Sequence, residues 1–299
     1  MGHIITDLKE AFRRGNVYIQ LIFINVGVFV ITTLIGILLQ LFNRSAAGIF
    51  ELLALPASFT RFAWQPWSIF TYMFMHAGFL HILFNMLWLY WFGALFLYFF
   101  SGKHLRGLYI VGGICGGLLY MISYNVFPYF RPMTAYSTMV GASASVPAIL
   151  VATAYREPTS PVRLLFFGHV RLQYLALFAV LTAMLFITSS NAGGHIDHLG
   201  GALAGLWFAA SLNKGKDITS WVNKALDAIA DLFSAKTWKR QPKMKGHYGN
   251  NTRQNDYDYN ARKKAQSDEI DRILDKLKKS GYESLTTEEK KSLFDASKR

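Results

Sequence analysis

The sequence predicts an all-α membrane protein: a bundle of six transmembrane helices followed by a soluble helical tail. Three observations carry that prediction. Of 299 residues, 52% are hydrophobic and only 16% charged, against roughly a quarter charged in soluble proteins, and the mean hydropathy is +0.23. Of the 49 charged side chains, 33 lie in residues 213–299, which leaves the first 212 residues with too few to solvate a surface of that size. Six apolar stretches punctuate those 212 residues, at 18–41, 78–100, 105–127, 139–154, 172–189 and 195–212. A single cysteine, Cys115, excludes a disulfide framework and any cysteine-based zinc or iron–sulfur site. The net charge of +13 reads as the basic bias of cytoplasmic membrane-protein segments rather than as a nucleic-acid footprint.

The N-terminal segment, 1–17, is predicted to be cytoplasmic. Residues 18–41 carry no charge and at 1.5 Å per residue exceed a hydrocarbon core of roughly 30 Å. The stretch is too long for a cleavable signal and lacks a small-residue cleavage site after it. Residues 42–68 hold Phe50, Phe59, Phe62, Trp64 and Trp67 with few charges, a composition suited to the outer interface. The fourth and sixth stretches are short and rich in Gly, Ala and Ser, so they are expected to face protein rather than lipid. Basic residues in the connections divide eight (Lys9, Arg13, Arg14, Lys103, Arg106, Arg156, Arg163, Arg171) against three (Arg44, Arg61, Arg131). That asymmetry puts both termini in the cytoplasm, in agreement with an even number of crossings. In a bacterium the membrane would be the inner, cell membrane.

The membrane body thus spans 18–212. In 213–235, Ile218, Trp221, Val222, Ala225, Ile229, Leu232 and Phe233 recur at helical spacing beside lysines, the pattern of an amphipathic juxtamembrane helix on the inner leaflet. Residues 236–266 are polar and nearly free of aliphatics, and are expected to be a flexible linker. In 267–299 a small helical element is predicted: Ser267 as N-cap, a face of Ile270, Ile273, Leu274 and Leu277, Gly281 as stop, and a Thr286/Glu289 capping box opening a last helix. Its two short amphipathic helices suit contact with the body, with another tail or with a cytosolic partner.

Three polar clusters interrupt the apolar stretches, and polar groups in lipid default to pairing or function. Gly141-Ala142-Ser143-Ala144-Ser145 stands at the outer end of the fourth stretch. Alone it is weak, since a helical serine often returns its hydroxyl to a carbonyl one turn back. Gly194-His195-Ile196-Asp197-His198-Leu199-Gly200-Gly201 opens the sixth. Gly201 and Gly205 form a G-x-x-x-G pair that predicts close helix approach just below His198. In the third cluster His81 and Asn85 are four apart and share a helix face, with His76 just before them. All three clusters fall in the outer half of the membrane. Together they supply a hydroxyl, a base and oxyanion donors, the parts that nucleophilic catalysis requires. Ser145 points away from Ser143 on a helix and reads as packing. Asp197 adjoins His198 in sequence, but helix neighbours do not face one another. Glycine-rich surroundings and the absence of H-x-x-x-H spacing argue against a metal at 195–198, and no cofactor is implied.

At these residues the sequence resembles the rhomboid family of intramembrane serine proteases. The motifs are Gly141-x-Ser143, His198-x-x-Gly201 and His81-x-x-x-Asn85, in family order on the second, fourth and sixth helices. The resemblance implies Ser143 as nucleophile and His198 as general base, a dyad without an aspartate. His81 and Asn85 would help bind the oxyanion beside the serine's own N–H, and His76 resembles a cavity-lining family position. His195 is expected either to line the cavity mouth or to cap the helix. The resemblance implies transmembrane proteins as substrates, cut in or beside their spans by water reaching an outward cavity. The sequence departs from the family at three places. Ala144 replaces the glycine common after the serine, and Pro147 stands where an aromatic often packs on the imidazole. The first loop lacks the usual Trp-Arg pair, since Trp64 and Trp67 precede Gln65 and Ser68. Two rival readings are a catalytically silent relative that binds transmembrane helices, and a transporter or channel. The second would need polar residues in the inner half too, where Leu, Phe, Ala and Gly dominate.

Overall fold

The protein is described by a computed structural model over residues 12, 15–164, 168–232, 264 and 268–297. The chain forms two compact units, Met1–Thr237 and Trp238–Arg299. Most of 1–17 and of 236–266, together with Ser267, lies outside the described residues.

In the first unit, helix α1 (Val17–Leu41) runs 25 residues, roughly 37 Å at helical rise. Only one stripe of it meets protein. Leu21, Asn25 and Thr32 are buried, and the Asn25 amide donates to the Leu21 carbonyl at 2.8 Å and to the Tyr109 hydroxyl at 3.0 Å. Ile31, Leu34 and Leu38 on the other faces are exposed, as a lipid-facing surface requires. The first loop is a folded element made of α2 (Ala47–Leu53), strand β1 (Leu55–Pro56), α3 (Phe59–Trp64) and α4 (Ser68–Thr71). Side chains brace it without a Trp-Arg pair. Trp67 Nε1 donates to the Leu52 carbonyl (3.0 Å), Thr71 Oγ1 to Leu53 (2.7 Å) and Gln65 Nε2 to Ala54 (3.2 Å). Trp64 and Phe59 remain exposed.

Helix α5 (Phe79–Phe96) buries Ile82, Asn85, Met86, Leu89, Phe92 and Phe96, one face at helical spacing. Helix α6 (Gly102–Val126), capped by the Ser101 hydroxyl accepting from the His104 N–H, is the central helix. Glycines at 107, 112, 113, 116 and 117 are buried along it, and neighbours pack onto its bare backbone. Three short or glycine-rich helices complete the six-helix bundle: α7 (Ser145–Arg156), α8 (Leu172–Leu185) and α9 (Ala192–Asn213). By length and composition α1, α5 and α6 suffice to cross a membrane. The others gain their place from burial against these, where small residues let backbones close up. A hairpin of β3 (Pro161–Leu164) and β4 (Gly168–Arg171) joins α7 to α8, with Pro161 opposite Arg171.

The fourth apolar stretch needs a correction. It is not helical from 139, because strand β2 (Thr138–Met139) pairs antiparallel with β1, Met139 opposite Leu55. The chain then turns through Gly141 at φ +134°, a conformation that excludes an ordinary side chain, and helix begins at Ser145. Ser143 therefore lies in the turn ahead of a helix, not inside one. Pro147 falls in the first turn of α7, the part of a helix that tolerates proline.

Helix α10 (Ser220–Leu232) docks on α6: Val222 and Asn223 are buried. Asn223 Nδ2 donates to the Lys103 carbonyl at 3.0 Å, and Arg106 reaches Asn223 Oδ1 at 3.0 Å and Asp227 at 2.9 Å. The sequence pattern places Val222 with the lipid-facing residues; the structure turns it to protein and leaves Trp221, Ile229 and Leu232 exposed.

In the second unit a helix over 268–280, α11, ends at Gly281 (φ +75°), whose N–H returns to the Leu277 carbonyl at 3.0 Å. Helix α12 (Thr287–Ser297) follows. Ile273 and Leu285 are buried. The capping box forms in both directions: Glu289 Oε2 accepts from the Thr286 N–H at 2.8 Å and Thr286 Oγ1 from the Glu289 N–H at 3.3 Å. Lys276 of α11 also reaches Glu289 at 2.8 Å.

Two outcomes are expected. A Cβ at Gly201 would overlap the Ala144 carbonyl, whereas Gly27 on α1 has nothing within 4 Å. Gly201→Ala should therefore lower stability by about 1–3 kcal/mol, and Gly27→Ala should leave it equal or slightly raised, both read by unfolding in detergent. Hydrogen bonds from the Lys276 ammonium, with the backbone bond at Thr286, hold the Glu289 carboxyl at about 2. A depressed value stabilises the folded form above the ordinary carboxylate range and is lost as pH falls through about 2. The Glu289 carboxyl resonance should titrate there by NMR, and should move up in Lys276→Ala.

Candidate active site

The turn that presents Ser143 is built by the first loop. β1 pairs with β2, and the Gly141 N–H donates to the Tyr72 carbonyl at 2.9 Å. Gly141 also makes room for an imidazole, since a Cβ there would lie 2.9 Å from His81 Nε2 and 3.3 Å from Ser143 Oγ. On the other side, α9 closes on α7 through glycine. Side chains at Gly201 and Gly205 would overlap the carbonyls of Ala144 and Ala148, and one at Gly200 would lie 2.7 Å from the Gly116 Cα. Backbone-to-backbone contact at these three points sets His198 at the depth of Ser143.

Ser143, His198, His81 and Asn85 all line one cavity of about 710 Å³, with His195 and Pro147 also in its wall. Its remaining walls are largely apolar, formed by Phe84, Trp88 and Phe92 of α5 and Leu175, Phe178 and Ala179 of α8. His81 Nδ1 accepts from the Ala77 N–H at 3.4 Å. A neutral imidazole then carries its proton on Nε2, the nitrogen next to Gly141. Asn85 Nδ2 donates to the His81 carbonyl at 2.9 Å, which leaves a second amide hydrogen for the cavity. His76 is 2% exposed and packs edge-on to His81 with ring centroids 5.1 Å apart. His76 is thus placed behind His81, not among the cavity-lining residues. His195 and His198 have centroids 5.9 Å apart.

The Ser143 hydroxyl does not bond to His198 in this structure. It donates to Asp197 Oδ2 at 3.1 Å. Asp197 is fully buried and its other oxygen lies 3.0 Å from the Tyr72 hydroxyl, which also donates to the Gly113 carbonyl at 2.5 Å. Sequence reasoning set Asp197 aside because adjacent helix residues diverge. That rule holds for Asp197 and His198, and it is the reason Asp197 turns to the α7 turn instead. The signal available was an acidic residue inside an apolar helix; nothing in the sequence marked Tyr72 as its partner. Ser145 packs as read, its hydroxyl donating to the Tyr109 carbonyl at 2.6 Å.

A hydroxyl, an imidazole and two side-chain hydrogen-bond donors around one cavity are the parts of acyl transfer by a nucleophile. The family model described as "Rhomboid domain" matches residues 63–214, and a second, a "family of unknown function (DUF6576)", matches 254–299. The first match begins within α3 and takes in five of the six bundle helices. Among curated proteins, "RHOMBOID-like protein 12, mitochondrial" of Arabidopsis thaliana is 30% identical over 159 residues, which is 50% of this chain and 47% of that protein. The chain thus spans about half the length of this relative.

Removing the Tyr72 hydroxyl takes a partner from the buried Gly113 carbonyl and from Asp197. Tyr72→Phe should cost about 1–3 kcal/mol, read as a lowered unfolding midpoint in detergent.

Proposed function

The chain belongs to the rhomboid family, and from that premise we propose that it is an intramembrane serine endopeptidase, cleaving peptide bonds in or beside transmembrane segments of other membrane proteins. The observation that carries this reading is the convergence of Ser143, His198, His81 and Asn85 on one cavity whose remaining walls are mostly apolar. An apolar stretch of polypeptide fits such walls, while the polar end holds the chemistry.

In this reading Ser143 Oγ attacks the substrate carbonyl while His198 takes its proton, then delivers that proton to the leaving amine. The developing oxyanion is held by the Ser143 N–H, His81 Nε2–H and the Asn85 amide. One such donor is worth about 3 kcal/mol. A dyad suffices where packing fixes the imidazole, and the contact of Gly201 with the Ala144 carbonyl supports that fixing. The protein is a multi-pass membrane protein. We place both termini on the cytoplasmic side, in a bacterium at the cell membrane, on the strength of the basic residues in its connections. The tail beyond α10 is assigned to contact with a cytosolic partner or a second copy.

One observation favours a second reading, a silent relative that binds transmembrane helices: the Ser143 hydroxyl is occupied by Asp197. A serine-directed phosphonate separates the two, since a binder does not react. Under the peptidase reading Ser143→Ala and His198→Ala abolish cleavage of a reporter transmembrane substrate in liposomes, and unchanged turnover in purified Ser143→Ala would remove the mechanism. Asn85→Ala should lower kcat by roughly 10²–10³ while leaving turnover detectable.

A further inference from the structure

The hydrogen atoms around Asp197 can be counted. Tyr72 Oη lies 2.5 Å from the Gly113 carbonyl oxygen and 3.0 Å from Asp197 Oδ1. A carbonyl has no proton to give, so the single hydroxyl hydrogen of Tyr72 belongs to the shorter contact. The hydrogen between Tyr72 and Asp197 is then the carboxyl's own. The surroundings agree: Asp197 is fully buried and makes no ion pair among the described residues. Gly116 adds no side chain beside it, where a Cβ would overlap Oδ1. A bare carboxylate in that place would be an uncompensated buried charge.

We propose that Asp197 is a neutral carboxylic acid which donates from Oδ1 to Tyr72 and accepts the Ser143 hydroxyl at Oδ2, so that it latches the nucleophile away from His198 in the resting enzyme. It is a positioning residue acting through Ser143, and its role as a latch rests on the peptidase reading above. No covalent step is involved. Ser143 turns about its Cα–Cβ bond, the Oγ–H bond to Asp197 is given up, and one to the His198 imidazole is made. Asp197 keeps its proton throughout and is therefore not a base for the serine, which leaves that task to His198.

Full-length protein in detergent at neutral pH tests this by two routes. In infrared difference spectra, the wild type should show a protonated-carboxyl C=O band that is missing from Asp197→Asn. In Ser143→Ala the band should move to higher frequency, because its oxygen loses a hydrogen bond. Absence of the band, or indifference to Ser143→Ala, overturns the proposal. In the second route a fluorophosphonate labels Ser143. Asp197→Ala should label faster by roughly 2- to 12-fold, the population held back by one ordinary hydrogen bond. Asp197→Asn, whose amide replaces both bonds, should return the rate to that of the wild type. Slower labelling of a folded Asp197→Ala overturns the latch, and if that variant does not fold, the infrared result decides. Should the wild type show the infrared response yet not label at all, the carboxyl assignment stands and the peptidase reading falls.

Discussion

Everything at the site depends on how closely α9 approaches α7 and α6. In water the apolar faces of helices would be driven together, but lipid tails are as apolar as leucine, so contact inside a membrane must be gained by packing and hydrogen bonding. Gly200, Gly201 and Gly205 meet the backbone of Gly116, Ala144 and Ala148 with no room for a methyl group. Two residues that line the cavity are one turn or less from these contacts. Ser143 precedes Ala144, and His198 is three residues before Gly201. The hydroxyl and the imidazole share a cavity because two backbones touch beside them.

The same approach leaves backbone groups to satisfy outside any helix. From Met139 to Ala144 the chain is not helical, a conformation tolerated in a membrane protein where it is buried in protein or lines a cavity. Each element around it gives something: pairing with β1 at 138–139, the Tyr72 carbonyl for the Gly141 N–H, and the Ser145 hydroxyl returned to the Tyr109 carbonyl. Tyr72 and Tyr109 are both fully buried. Tyr109 in turn donates to the Met73 carbonyl at 3.1 Å and accepts from Asn25 of α1. Through their carbonyls, which accept from Gly141 and Ser145, and their hydroxyls, which reach Gly113, Asp197, Met73 and Asn25, these two tyrosines tie α1, α6 and α9 to the turn carrying Ser143.

The polar residues at 81, 85, 143 and 198 were legible in the sequence because each is an exception within an apolar run, and the cost of such exceptions in lipid is general. The G-x-x-x-G pair at 201 and 205 was legible for the same kind of reason, since small residues at that spacing have one common use. The start of the fourth helix was not. Hydropathy continues unbroken from Met139 into α7, while the break is imposed by a strand partner more than 80 residues earlier and by the left-handed turn at Gly141. The partner of Asp197 was hidden by the same long range. Helix periodicity says correctly that Asp197 does not face His198, but only the tertiary approach of α9 to α7 and α6 says what it faces instead. The pattern around Val222 shows the ambiguity of an amphipathic face: periodicity marks the stripe, and Asn223 with Arg106 decides that part of it meets protein.

Ala144, Pro147 and Asp197 act on different things. At Ala144 a methyl group is added, but the contact with Gly201 is made through its carbonyl, so the helix crossing is retained. Pro147 has no N–H to give in the first turn of α7, and its ring becomes part of the cavity wall. Neither change reaches the backbone contacts that set the depth of the site. Asp197 is different because it enters the hydrogen bonding of Ser143 itself. Asp197 lies one residue before His198, so one turn of α9 carries both the partner of Ser143 in this structure and an imidazole that lines the same cavity.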